Sequence, residues 1–291
     1  PADKAKNQPA SVEIGTKVAG GTVDTVKVVD SAGKEVAGAM RADGSSWVPA
    51  KTLAFGASYS ATVTAKSPSG EAITRATSFT TMGRPGNETG TGLYLFDDHT
   101  YGVAMPVVVE FIPGVPENYR AAVEKRLFVQ TDPPQPGVWS WVKGGSQAYY
   151  RAPEFWQPGT KLTVRIGIGG LETAPGTYGN TDRTATAEIG RKLEMKVDNS
   201  DKQMKVFEDG TLIRTFPVSL GRKAMPSASG VMVVMEKKEQ TVFDTREQFG
   251  PVEATGWTWS SRSGSPGAVS SSTRHPGPTP SRAGRTCHTA V

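Results

Sequence analysis

A single cysteine, Cys287, stands in 291 residues, so no internal disulfide framework can hold the chain together. Histidine is nearly as scarce, and one Cys with three His supplies too few ligands for a structural zinc site; no metal or cofactor is expected. Nowhere do eighteen apolar residues run together, which excludes a membrane-spanning helix. Acidic residues are missing from the last stretch. Residues 254–291 hold four Arg and no Asp, Glu or Lys, so four of the five net positive charges sit there and the rest is nearly neutral. Four Arg dispersed among Ser and Pro make few phosphate contacts, so no nucleic-acid partner is expected. The chain opens on Pro1 rather than Met, so any signal or lipid-anchor segment is expected to lie outside these residues.

What is present is turn chemistry and β alternation. Gly (33) and Pro (21) punctuate a length that suits two domains, or three if they are small sandwiches. From Ser11 to Thr81 the period is two: Tyr59, Ala61, Val63 and Ala65 share one face, and Ser67-Pro68-Ser69-Gly70 turns the chain before Ala76 to Thr81 returns it. Short strands at hairpin spacing predict a β-sandwich over 1–82, with Trp47 in its packing.

Met82 to Asn87 reads as a Gly/Pro linker. A second sandwich follows over 83–190, with strands at Val107–Phe111, Leu127–Thr131 and Lys161–Ile166 and one short helix at Glu117–Lys125. Trp139, Trp141 and Trp156 could make a carbohydrate platform, but a sandwich of this size needs such anchors in its core, and packing is the stronger reading. Region three, 191–253, reads as a meander. Leu193, Met195 and Val197 alternate, Asp198 to Asp201 turns, Asp209-Gly210 is a hairpin signal, and Val231–Met235 is a strand apolar on both faces. The expected class is all-β: two Ig-like sandwiches followed by an incomplete β-rich third domain.

The third region resembles the catalytic domain of the L,D-transpeptidase family, enzymes that cross-link bacterial peptidoglycan. The resemblance is carried by Val197-Asp198, Gln203-Met204, Asp209-Gly210, Pro217-Val218-Ser219-Leu220-Gly221 and Pro226-Ser227-Ala228-Ser229-Gly230-Val231. The two sandwiches ahead of it are similar to the paired Ig-like domains of one subgroup, and the Trp156-Gln157-Pro158-Gly159-Thr160 turn is typical of the second. The family implies a cofactor-free cysteine acyltransferase of the cell envelope, outside the cytoplasm, acting on peptidoglycan stem peptides. Its Cys, in an S-H-G-C motif, attacks a stem carbonyl; a nearby His is base and then acid, and backbone N–H groups hold the oxyanion. The resemblance places Phe243, Asp244 and Phe249 in a lid over the substrate groove, and gives Gly221, Pro226 and Gly230 a structural part in the loop before Val231.

The family's reactive segment has no in-frame counterpart. Cys287 lies in Arg285-Thr286-Cys287-His288-Thr289, so it is not carried over as the nucleophile, and no catalytic residue is assigned. Residues 254–291 contain eight Ser, six Thr, five Gly and four Pro with no Leu, Ile, Met, Phe or Tyr, a composition that cannot build a core. Reading the possible codons one base out of register changes the picture. Ala254–Trp259 then permits G-Y-R-V-D-V, and Gly267 onward permits W-S-G-E-F-V-H-S-A-P-W-S-D-A-E-Q-G-R-S-N-V-S-H-G-C. Those are the family's segments in the family's order, so the tail is expected to be a frame-shifted translation and this chain inactive. The alternative is a non-catalytic envelope protein whose Ig-like domains bind a glycan or partner. Other nucleophiles and ligands are unsupported: His99 reads as part of a solvated loop, His275 and His288 belong to the tail, and Ser46 and Ser219 lack a His or Lys partner at a recognisable spacing.

Overall fold

The computed structural model describes residues 1–224 and 226–234 in full, together with the backbone of 240–244 and 256–260. Strands dominate, and one helix occurs among the described residues. The chain divides into two compact units, Pro1–Lys192 and Leu193–Val291.

Seven strands build the first sandwich: β1 (Ala5–Gln8), β2 (Ile14–Gly15), β3 (Thr22–Asp30), β4 (Gly38–Met40), β5 (Ser46–Pro49), β6 (Ser58–Lys66) and β7 (Ala72–Thr81). One sheet has the order β1-β7-β6-β3, the other β2-β5-β4. Alternation along β6 turns Tyr59 and Ala61 inward, where they meet Val28, Phe79, Ile14, Leu53 and Trp47. Trp47 is a packing residue, as expected. A Cβ on Gly38 would lie 2.1 Å from its ring, so β4 can cross the indole only as glycine.

The second sandwich follows: β8 (Glu88–Leu93), β9 (His99–Tyr101), β10 (Val107–Ile112), α1 (Glu117–Glu124), β11 (Leu127–Asp132), β12 (Val138–Trp141), β13 (Gln147–Arg151), β14 (Lys161–Ile166), β15 (Glu172–Ala174), β16 (Thr177–Gly179) and β17 (Arg183–Ile189). Its sheets run β12-β13-β10-β8-β16-β15 and β11-β14-β17-β9. Helix α1 starts after Pro116 with Glu117 in its first turn, where a carboxylate suits the helix dipole, and seats Val123 among Val109, Phe111, Leu127 and Ile166. The three tryptophans pack. Trp156 is 3% exposed and its Nε1 donates to the Met105 carbonyl at 2.7 Å, while Trp139 and Trp141 lean on the core half-buried. Two strands depart from the sequence reading. Gly-rich β8 runs through the middle of the larger sheet, and β9 puts His99 on an edge strand parallel to β17 rather than in a loop, because pairing with Ala187 supplies the bonds its own sequence does not advertise.

A charged clasp joins the two sandwiches. Arg126, 4% exposed after α1, donates to Glu13 Oε1 at 2.7 Å, to the Ser11 carbonyl and to the Gly167 carbonyl. Arg41 grips the same carboxylate from the other side at 2.6 and 2.9 Å and donates to the Lys125 carbonyl, and Ser46 Oγ adds a further hydrogen bond. Burial alone would push the Glu13 carboxyl up; the hydrogen bonds from Arg41 and Ser46, with the charges of Arg126 and Arg41, outweigh it and hold the pKa at about 2. Nearby, Asp182 accepts from Thr52, the Gly169 N–H and Arg165 at 2.7–2.9 Å. Close approach demands the Gly169-Gly170 pair: a Cβ on either would fall within 2.7 Å of Thr52 or Ala10.

In the second unit, β18 (Leu193–Asp198), β19 (Gln203–Glu208) and β20 (Thr211–Pro217) form an antiparallel meander, and β21 (Gln240–Asp244) pairs with β22 (Gly256–Ser260).

Candidate functional site

The meander's turns are set by short polar residues. Asp198 accepts from both the N–H and the hydroxyl of Ser200 at 2.8 Å, and these bonds draw its pKa below the usual carboxylate range. Asp201 accepts the Gln203 N–H at 2.9 Å and pairs with Lys205 at 3.2 Å. Asp209 and Gly210 both take positive φ, +48° and +82°, between the paired Glu208 and Thr211; that is the two-residue hairpin their identities predict.

Beyond β20 the chain enters the loop that carries the structural candidates. Gly221 donates its N–H to Ser227 Oγ at 2.9 Å, which closes a small turn around Arg222 and Lys223. Pro226 is exposed, and Gly230 has φ +121°, a conformation that strains any residue with a Cβ. The strand expected at Val231–Met235 is not found over 231–234. Val231 is 86% exposed, and among the described residues no strand pairs with this run. Met235 lies outside the described residues.

Phe243 and Asp244 fall on β21, where they pair with Trp257 and Gly256 of β22; Phe249 lies outside the described residues. Strand β22 lies within 254–291: Gly256-Trp257-Thr258-Trp259-Ser260 alternates Trp with Thr and Ser, a pattern with β propensity in spite of the surrounding composition. His275, Cys287 and His288 lie outside the described residues.

The remaining candidates separate cleanly. Ser46 is committed to the Glu13 clasp, and Ser219 is exposed in the loop after β20. His99 is exposed, its Nδ1 2.8 Å from the Asp97 carbonyl, between the rings of Phe96 and Tyr101. Among the described residues no group of three or more His, Cys, Asp or Glu is placed to hold a metal. The clasp was invisible in the sequence: Glu13, Arg41 and Arg126 are far apart in the chain and belong to no motif.

Comparison with known proteins adds what geometry leaves open. Residues 5–172 match the family model of the bacterial Ig domain, and residues 194–280 match that of the L,D-transpeptidase catalytic domain. L,D-transpeptidase 5 of Mycobacterium tuberculosis (strain ATCC 25618 / H37Rv) is 32% identical over 243 residues, 81% of this chain and 53% of that protein. L,D-transpeptidase 2 of Mycobacterium tuberculosis (strain CDC 1551 / Oshkosh) is 26% identical over 252 residues, 87% of this chain and 60% of that protein. The chain thus spans little more than half the length of these curated relatives. The solved structure of LD transpeptidase LdtMt1 in complex with imipenem aligns at a TM-score of 0.47 and 25% identity, over 65% of this chain and 77% of that one.

Proposed function

Because the chain belongs to the L,D-transpeptidase family, with Ig-type sequence ahead of a catalytic-domain segment, we propose that it derives from a peptidoglycan cross-linking acyltransferase of the cell envelope. In the intact enzyme a Cys thiolate attacks the carbonyl of a stem peptide, with His as base and then acid, and the resulting acyl group passes to the amine of a second stem. The protein's partners on this reading are peptidoglycan stem peptides, and its location is extracytoplasmic. No helix among the described residues is long and apolar enough to cross a membrane.

The observation that carries the reading is a mismatch inside one segment. Residues 194–280 match the catalytic-domain model, yet no S-H-G-C stands in frame there, and the one cysteine lies at 287 in an unrelated string. A register shift near codon 253 accounts for the missing motif, while the match itself runs on to residue 280, into the residues assigned to the tail. The division that follows is Ig-like 1–82, Ig-like 83–190, the catalytic-domain start 191–253 and an out-of-frame tail 254–291. Phe243, Asp244 and Phe249 are the proposed lid, with Gly221, Pro226 and Gly230 shaping the loop beneath it.

Two measurements test this. Incubated with a carbapenem, the 291-residue chain keeps its mass; an adduct on Cys287 would refute the proposed inactivity. The same gene with one base inserted at codon 253 yields a chain that gains the drug's mass on a new cysteine. If it does not, or if the nucleotide sequence encodes the present tail with no upstream slip, the register shift is wrong.

A further inference from the structure

The larger sheet of the second sandwich turns one face to solvent, and strand β8 crosses the middle of that face with glycine at both Gly90 and Gly92. Glycine inside a strand weakens it, and the usual reasons for accepting the loss fail here. Neither residue has positive φ. The register with β10 is regular, Gly92 opposite Glu110 and Gly90 opposite Ile112, so neither marks a bulge. A Cβ at Gly92 would come no closer than 3.5 Å to Glu110, and one at Gly90 no closer than 3.6 Å to the Ile112 carbonyl, both ordinary contacts. Backbone geometry and internal packing would accept a side chain at either place. What glycine provides is a low floor, the mark of a strand approached closely by something outside the protein.

The residues beside that floor form one connected polar group. Tyr94, 43% exposed, donates to Glu110 Oε2 at 3.1 Å; Gln147 Nε2 approaches Oε1 of the same carboxylate at 3.4 Å; Tyr149 donates to Gln147 Oε1 at 2.7 Å. Strand pairing of β8, β10 and β13 sets them side by side. The bond to Glu110 keeps the Tyr94 phenol above its ordinary pKa, so it stays a neutral hydroxyl. Both phenol oxygens and the carboxylate retain lone pairs, while Gln147 retains an N–H, so the face offers mainly acceptors with one donor, alongside two aromatic rings. Charge narrows the occupant. Glu110 sits beside the trough; Glu88, exposed at the start of β8, is offset by Arg84 at 3.9 Å, and exposed Arg151 follows Tyr149 by two on the same face of β13, so the face has no net charge to draw a polyion such as nucleic acid or an acidic lipid surface. A partner with many hydroxyl donors, apolar C–H faces and no charge satisfies every one of these features.

We propose that this glycine-floored face of the second sandwich is a binding site for a neutral glycan strand. The chain lies along β8 from Gly90 towards Tyr94, ~13 Å of extended backbone, with hydroxyls on Glu110 and Gln147 and ring faces against Tyr94 and Tyr149. Residues of the second unit take no part, so the inference stands or falls apart from the acyl-transfer reading.

Titration of the full chain with a soluble N-acetylglucosamine hexamer, followed by saturation-transfer NMR and calorimetry, tests it. Binding is expected, insensitive to salt. Gly92→Val fills the floor with a residue that favours strands; it should lower affinity by about tenfold while leaving thermal unfolding unchanged or raised, which separates binding from folding. Tyr94→Ala combined with Tyr149→Ala should abolish the signal. No binding by the parent chain at millimolar hexamer, equal binding by the parent and Gly92→Val, or tighter binding of an anionic polysaccharide would each overturn the proposal.

Discussion

The first unit and the second use the same local vocabulary with different results. Both alternate apolar and polar residues along their strands, and both turn at Asp, Ser, Asn and Gly. In the first, alternation meets a second sheet: Val28, Phe79, Val109, Phe111 and Ile166 are all nearly inaccessible. In the meander β18-β19-β20 the described apolar side chains are mostly only half-covered. Leu193, Leu212 and Ile213 are 39%, 51% and 48% exposed, and Val206 is the one apolar residue of that unit buried among those described. Local patterning makes strands, but only a facing layer makes a core. A catalytic domain whose later strands are translated out of register would show this imbalance.

Proteolysis gives the sharpest contrast. Mild trypsin treatment of the full chain should leave a stable fragment ending near Lys192, because the clasp and every buried apolar cluster among the described residues lie before it, with the remainder digested; mass spectrometry of the limit products checks this. Protection reaching Phe249 would erase the difference between the units. Within the first unit, Arg126→Ala should cost about 3–5 kcal/mol, since it strands the Glu13 carboxylate with one partner fewer and leaves the Ser11 and Gly167 carbonyls unmet. The readout is the urea midpoint at neutral pH. An effect below ~1 kcal/mol would mean the clasp behaves like a surface ion pair.

Glu13 adds a pH signature to the same contact. Its pKa is about 2 in the folded chain against an ordinary 4.5, a depression. The unfolded chain therefore binds the proton first on acidification, and the stabilisation is complete above pH ~4.5 and lost as pH falls through ~2. Its size is about 2 kcal/mol once partial exposure is allowed for. Glu13→Gln should flatten that part of the acid-unfolding curve, measured by circular dichroism; an unchanged slope would remove Glu13 from the clasp's energetics. The smallest effect belongs to the second unit: Gly210→Ala, forced to φ +82°, should cost about 1 kcal/mol. Loss of amide protection confined to β19 and β20 in hydrogen exchange would report it.

Legibility followed the range of the interaction. The strands at Val107, Leu127 and Lys161, the helix at Glu117 and the Asp209-Gly210 turn were all readable, since each depends on neighbours within a few residues. Strand β8 was missed because Glu88-Thr89-Gly90-Thr91-Gly92-Leu93 has no strong strand signal; its place between β10 and β16 is a long-range fact. Val231–Met235 failed in the opposite sense, a strand by composition left without a neighbour over its described part. The loop candidates Gly221, Pro226 and Gly230 could be placed, whereas no residue of this sequence in frame carries the family's S-H-G-C motif.

Alternation, turn residues and the family's ordered motifs were enough to determine the β class, the succession of sandwich-type regions and the descent of the last one, because periodicity and backbone preference are properties of adjacent residues. Tertiary structure alone decided that Glu13, Arg41 and Arg126 lock two sandwiches together and that two glycines lie open beside Tyr94 and Glu110. Those contacts join residues that chain order keeps apart, and a contact's free energy exists only once folding has closed the loop between its partners.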